Sequence, residues 1–224
     1  CHLSPNRLMS AMQSELESRG CEFHWDSECD HFQTRGNQVK TVETSSGSIP
    51  CDELVLCGGA WSPTLSSKLR ISLPMQAGKG YSVTLDAPCQ LPSICSILSE
   101  AKVAVTPMGS SLRFGGTMEI VGNDESVSPS RVRGIVRSIP EYYPQFQTQD
   151  FANCKPWVGL RPCSPDGLPY LGRTRTWENV VVSTGHAMMG ISLAAVSGSL
   201  VADIIDDAKP AIQDLELLSP DRYT

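Results

Sequence analysis

The spacing of apolar positions changes several times along the chain, and each change predicts an element. Leu8, Met12 and Leu16 recur at helical spacing behind Ser4-Pro5, a cap followed by a proline at the first helical position, and Gly20 stops the run. Cys21, Phe23 and Trp25 then alternate with Glu22, His24 and Asp26, which predicts a half-buried strand. The polar stretch from Thr34 to Ser48 reads as a surface hairpin, with Val39, Val42 and Ile49 as its few inward residues. At Asp52 the pattern becomes continuously apolar and runs into Gly58-Gly59. This predicts a strand buried in a sheet, ending where the backbone can turn sharply or approach a ligand.

Residues 75–156 have a different texture. Gly80 to Leu85, Val103 to Thr106 and Leu112 to Ile120 are β-rich runs broken by Pro and Gly, as in an antiparallel sheet. Ser128-Pro129 opens a helix whose Val132, Ile135, Val136 and Ile139 form one apolar stripe, suited to covering that sheet. Beyond Trp157 the chain reads as turns, then a strand from Val180 to Thr184, a Gly185-His186 junction, and a helix from about Gly190 to Ile205. That helix is apolar on more than one face, which predicts deep packing. From Asp206 the polar, Pro-punctuated residues read as a surface tail. The expected fold class is α+β.

Composition removes several functions. With 18 Lys plus Arg against 24 Asp plus Glu, a net charge of -6, no broad basic surface is available for nucleic acid. No apolar run reaches the roughly 18 to 20 residues of a membrane span. The nine cysteines include no C-x-x-C pair, so neither a disulfide scaffold nor a zinc ribbon is expected, and reduced thiols fit a cytoplasmic protein. Cys21, His24, Cys29 and His31 are the one tempting metal cluster. Strand alternation puts Cys21 and His24 on opposite faces, so no metal site is assigned.

Three glycine-assisted segments stand out: Gly58-Gly59-Ala60-Trp61-Ser62; Gly159-Leu160-Arg161-Pro162 with Asp166-Gly167-Leu168-Pro169; and Gly185-His186 through Gly190-Ile191. Alone, each is a turn. In this order, with Gly78-Lys79-Gly80-Tyr81-Ser82 and Arg113-Phe114-Gly115-Gly116-Thr117-Met118-Glu119 between them, the sequence resembles the FAD-dependent amine oxidoreductases of the D-amino-acid oxidase type. The nearest match is the bacterial D-amino-acid dehydrogenase branch, and the resemblance runs from Pro5 to about Asp206.

The resemblance implies that 1–74 and 157–208 form a partial α/β FAD-binding domain. It further implies that 75–156 form an antiparallel-sheet substrate domain with a covering helix, and that 209–224 are a C-terminal tail. Cofactor contacts would come from Gly58, Gly59, Ala60, Trp61, Gly159, Gly185, His186, Met188, Met189, Gly190 and Ile191. Unpaired amides at a helix N-terminus suit the flavin N1 and C2=O edge as it gains negative charge. Arg161 would pair with a substrate carboxylate, for which a planar guanidinium is suited, or else bridge the loops around Asp166. Lys79 and Tyr81 resemble the motif at the substrate-domain border, with Lys79 either binding substrate or playing a structural part. No catalytic side chain is assigned, because hydride transfer from a neutral amine depends on placement more than on a nucleophile. His186 is either a flavin-edge residue or a packed strand-end histidine.

Two departures from the family stand out. Ala187, Met188 and Met189 occupy positions where Gly or polar residues are common, and no G-x-G-x-x-G pyrophosphate cradle occurs. Because the chain also opens at Cys1 rather than Met, upstream sequence or a partner chain is expected to supply the cradle. The expected function is that of the C-terminal part of a flavoenzyme oxidising a D-amino acid or related imino acid to an imine. A quinone or another electron-transfer partner, or oxygen, would take the electrons, with peripheral attachment to the inner membrane as one setting. The alternatives are a glycine or sarcosine oxidase-like enzyme, and a non-catalytic module completing a flavin site on another chain.

Overall fold

The computed structural model describes residues 3–210, 212 and 214–224. In chain order its elements are α1 (Pro5–Ser18), β1 (Cys29–Arg35), β2 (Gln38–Thr44), β3 (Gly47–Pro50), β4 (Leu54–Leu56), α2 (Ser62–Ser67), β5 (Gln76–Leu85) and β6 (Ser96–Leu98). They continue with β7 (Val103–Met108), β8 (Ser111–Ile120), α3 (Pro129–Tyr142), β9 (Trp157–Cys163), β10 (Tyr170–Arg173), β11 (Val180–Thr184) and α4 (Gly190–Ile205). The fold is mixed α+β, divided into two compact units, one of residues 1–25, 80–119 and 125–159 and the other of 26–79, 120–124 and 160–224. No described helix is long and apolar enough to cross a membrane.

The first unit is built on a sheet of order β6-β7-β8-β5-β9, which β5 and β9 enter with residues 80–85 and 157–159. β7 and β8 pair antiparallel, Val103 opposite Gly116 and Val105 opposite Phe114. Strand alternation sends Val103, Val105, Leu112 and Phe114 to one face, where the Ile135 and Ile139 stripe of α3 buries them. Gly116 permits the close approach: a Cβ there would lie 3.2 Å from Ile135 Cγ1 and 3.2 Å from the Lys102 carbonyl oxygen. Phe114 also meets Phe146 and Phe151 edge-on, at centroid separations of 5.9 and 5.4 Å. These rings, from the stretch after α3, complete the core.

α1 begins at Pro5 as its sequence predicts, yet none of its residues is buried, and Leu8, Met12 and Leu16 stay exposed. The strand expected from Cys21 to Asp26 does not form. Phe23 and Trp25 do share a side, their rings stacked at 5.5 Å, but alternation is not enough without a neighbouring strand to take the backbone hydrogen bonds. β9 replaces turns expected beyond Trp157. It lies at the end of the sheet order, the position at which a strand tolerates Pro162.

In the second unit the meander β1-β2-β3 and the sheet β10-β11-β4 share a core of Val39, Leu56, Leu69, Ile71, Leu73, Tyr170, Val180 and Val182. β11 runs parallel to β4 and antiparallel to β10. Buried Asn179, just before β11, donates through Nδ2 to the carbonyls of Val39 and Asp52, both at 2.7 Å. Its Oδ1 accepts the Val39 N–H at 2.8 Å. One side chain thus ties the meander, the approach to β4 and β11 together. Two sequence expectations are corrected in this unit. Only Ser197 and Leu200 of α4 are buried, so its second apolar face, with Ile191 and Val196, remains exposed rather than deeply packed. The C-terminal residues are anchored, with Asp221 buried and accepting the Arg175 N–H at 2.8 Å.

Candidate functional site

Two glycine junctions of the second unit end side by side. β4 leads into Gly58 and Gly59. A Cβ on Gly58 would lie 2.8 Å from Leu65 Cδ1, so its lack of a side chain serves packing against α2, whereas Gly59 takes the left-handed φ of +55° in open space. Ala60 is buried and Trp61 about half exposed. Ser62 Oγ donates to Thr184 Oγ1 at 2.9 Å, and Thr184 Oγ1 donates to the Gly59 carbonyl at 3.3 Å. These bonds draw the Gly58-Gly59 loop onto the end of β11.

β11 passes into Gly185, at φ +82°, and Ala187, at φ +47°. An alanine in this region is uncommon and costs about 1 kcal/mol, so neighbouring bonds must hold it there. The Ala187 N–H donates to the Pro162 carbonyl at 2.9 Å, Met189 N–H donates to the His186 carbonyl at 2.8 Å, and His186 bridges Cys163 across β9. The His186 ring nitrogen Nε2 lies 2.9 Å from Ser197 Oγ on α4, and burial lowers the imidazole pKa, favouring the neutral ring. The turn then delivers α4, whose opening amides have no carbonyl one turn behind them. Met188, Gly190, Ile191 and Ser192 N–H groups have no backbone partner among the described residues. The side chains of Met188, Met189 and Ile191 project outward. A groove of about 440 Å3 beside this turn is lined by Cys57, Ser183, His186, Gly190, Ala194 and Ser197, among others.

Of the residues assigned to substrate, Arg161 and Lys79 belong to this second unit. Arg161 Nη1 reaches the Gly78 carbonyl at 3.4 Å, while the Asp166 carboxylate pairs with Arg222. The Lys79 side chain is 2% exposed and its ammonium lies 2.8 Å from Asp124. Tyr81 lies in the core of the first unit and donates to Glu119 Oε2 at 2.6 Å. Gly159 also belongs to the first unit. A Cβ there would come within 2.3 Å of the Trp157 ring, so this glycine makes room for an indole. The pairings of Lys79 with Asp124, Tyr81 with Glu119, Ser62 with Thr184 and Arg222 with Asp166 had no local signal in the sequence, since each acts across a long chain separation.

A family model described as FAD dependent oxidoreductase matches residues 1–204. The D-amino acid dehydrogenase of Bradyrhizobium diazoefficiens is 34% identical over 100% of this chain and 52% of its own length. That of Rhizorhabdus wittichii is 34% identical over 97% and 52%. The chain spans about half the length of these curated relatives. Among solved structures, glycine oxidase from Geobacillus kaustophilus has a TM-score of 0.77 at 25% identity, covering 91% of this chain and 54% of its own. L-proline dehydrogenase from P. horikoshii has a TM-score of 0.83 at 20% identity, covering 98% and 59%, a likeness of fold.

Proposed function

Because the chain belongs to the FAD dependent oxidoreductase family, we propose that it supplies the flavin-edge and substrate-carboxylate contacts of an enzyme oxidising a D-amino acid or related imino acid. The observation that carries this reading is the turn into α4. The amides of Met188, Gly190, Ile191 and Ser192, without a backbone partner among the described residues, open a 16-residue helix beside a histidine whose pKa burial lowers. Fixed donors of this kind suit the electron-rich N1 and C2=O edge of an isoalloxazine and strengthen as that edge gains charge. Bound there, the flavin would accept the substrate's hydride. The chain's own work is placement.

Arg161 binds the substrate carboxylate. Its 3.4 Å contact to the Gly78 carbonyl leaves further guanidinium donors for a fork-shaped anion. Lys79 is neutralised by Asp124 and supports the fold at this position instead of receiving the substrate. The pyrophosphate cradle comes from sequence outside these 224 residues or from a partner chain, as no G-x-G-x-x-G occurs within them. The electrons leave to a quinone, another electron-transfer partner or oxygen.

The deciding measurement is flavin reduction by an amino acid and by the corresponding amine lacking the carboxylate, in the flavin-bound protein. Arg161→Ala is expected to weaken amino-acid binding by about 2 to 5 kcal/mol while leaving the amine nearly untouched. Equal losses on both compounds would make the arginine structural. A second reading, a glycine or sarcosine oxidase-like enzyme, is favoured by the resemblance to glycine oxidase. It would appear as a preference for the smallest amino acids in the same assay.

A further inference from the structure

We propose that Arg222 is a positioning residue: the segment 219–224 is a strap that, through this one guanidinium, holds the Gly185–Ala187 turn in shape. The side chain is 11% exposed and its bonds are numerous. Nε and Nη2 grip the Asp166 carboxylate as a fork, at 2.9 and 3.0 Å. Nη2 also donates to the Leu168 carbonyl at 2.9 Å, and Nη1 to the carbonyls of Pro169 at 3.3 Å and Ser219 at 3.2 Å. The flat face lies 3.9 Å above the centre of the Tyr170 ring. Charge, shape and stacking are all used, and lysine reproduces only the first.

What Arg222 holds leads to the turn by two routes. The first passes through the loop: Asp166 Oδ1 accepts the Leu168 N–H at 3.0 Å, Ser164 Oγ donates to the Leu168 carbonyl at 2.6 Å, and the next residue back, Cys163, is bridged to His186. The second passes through Tyr170. It pairs with Thr184 across β10 and β11, and its hydroxyl donates to the Pro74 carbonyl at 2.6 Å. Its ring presses on Gly185, where a Cβ would lie 3.2 Å from Tyr170 Cδ2. Ala187 needs support in its left-handed conformation, which Gly185 adopts freely, and these contacts supply it from behind. Significance for flavin binding rests on the proposed function, but the structural claim does not.

The test is amide hydrogen exchange on the 224-residue chain without flavin or substrate, so its outcome is independent of that function. In Arg222→Ala, exchange at Ala187 and Met189, whose amides bond Pro162 and His186, is expected to rise about tenfold or more relative to Val105 and Phe114 in the first unit and Val182 in β11. Arg222→Lys should restore only part of the protection. Asp166→Asn should show the same selective rise at neutral pH.

Acid adds a second readout. The groups acting on the Asp166 carboxylate are the Arg222 guanidinium, the Leu168 N–H and the Tyr223 hydroxyl. The hydrogen bond from Arg222 holds its pKa well below the carboxylate range. A depressed folded pKa gives stability that is present above the unfolded value and lost as pH falls through the folded one. Protection at Ala187 should therefore survive acidification through the ordinary carboxylate range in the native chain, and the acid-induced loss below it should be absent in Asp166→Asn. A uniform rise at all amides in Arg222→Ala, no rise, or full rescue by lysine would each overturn the proposal. Should Arg222→Ala not fold, the lysine and Asp166→Asn arms decide it alone.

Discussion

At the scale of single residues, the structure depends on side chains that satisfy backbone groups far away in sequence. Asn179 is the clearest case: it is 4% exposed and makes three short bonds to strands and loops from residues 39 to 52. Asn179→Ala leaves two carbonyls and an amide without their partner, and is expected to destabilise the second unit by about 2 to 4 kcal/mol. Asn179→Asp keeps the acceptor for Val39 N–H but sets a carboxylate oxygen against the Val39 and Asp52 carbonyls, so it should be no more stable than Asn179→Ala. Chemical denaturation of the three proteins, followed by the fluorescence of Trp177 with the other tryptophans replaced by Phe, would measure this. Equal stability of wild type and Asn179→Ala would show that water replaces the amide. The sequence predicts a strand from Val180 to Thr184, but the tie made by the asparagine before it had no local signal, because its partners lie 127 and 140 positions away.

At the scale of elements, legibility followed periodicity where the period had a partner to pack against. The stripe Val132, Ile135, Val136 and Ile139 was read correctly as a sheet-covering helix because α3 buries Ile135 and Ile139 on β7 and β8. Identical reasoning located α1 and α4 but misjudged the burial of α4, since an amphipathic pattern states which face is apolar and not what covers it. Cys21–Asp26 failed for a related reason: alternation is necessary for a half-buried strand, but a ladder is needed as well. Distances at Gly116 give the element-scale prediction. An added methyl would meet Ile135 and two atoms of the β7 region within 3.3 Å, including a backbone carbonyl that cannot rotate away. Gly116→Ala is expected to push α3 off the sheet and cost about 1 to 3 kcal/mol, and because Ile135→Ala removes the Cγ1 that the new methyl meets, the double variant Gly116→Ala, Ile135→Ala should lose less than the two single changes together. Thermal denaturation of the single and double variants checks both statements. Additive losses would mean that the carbonyl, and not the helix, limits the space.

For the whole molecule, the glycine motifs and their order were enough to make the family legible in the amino-acid sequence. The segments of the candidate site can be named from the sequence, but their geometry cannot. Thr184 and Ser62 join two of those segments through hydroxyl bonds that sequence proximity could not suggest. Gly58 and Gly159 turn out to make room for Leu65 and Trp157. The proposed function predicts that the purified 224-residue chain is colourless, because in that reading the amides at α4 would meet only one edge of a flavin, and no G-x-G-x-x-G within these residues would secure the pyrophosphate. Absorbance after gel filtration reads this directly, and a stoichiometric flavin band would remove the need for a cradle. The interleaving of the two units has a bearing on biosynthesis. Every residue of the aromatic and α3 core falls between Tyr81 and Val158, so that core is complete once residue 159 has left the ribosome. The other core waits longer, since Val39, Leu56 and Leu73 must remain without Tyr170, Val180 and Val182 until roughly a hundred further residues have been made. During synthesis the middle of the chain can fold first, while the earlier-made residues 26–79 stay unfinished and depend on whatever shields their apolar side chains until the last third arrives.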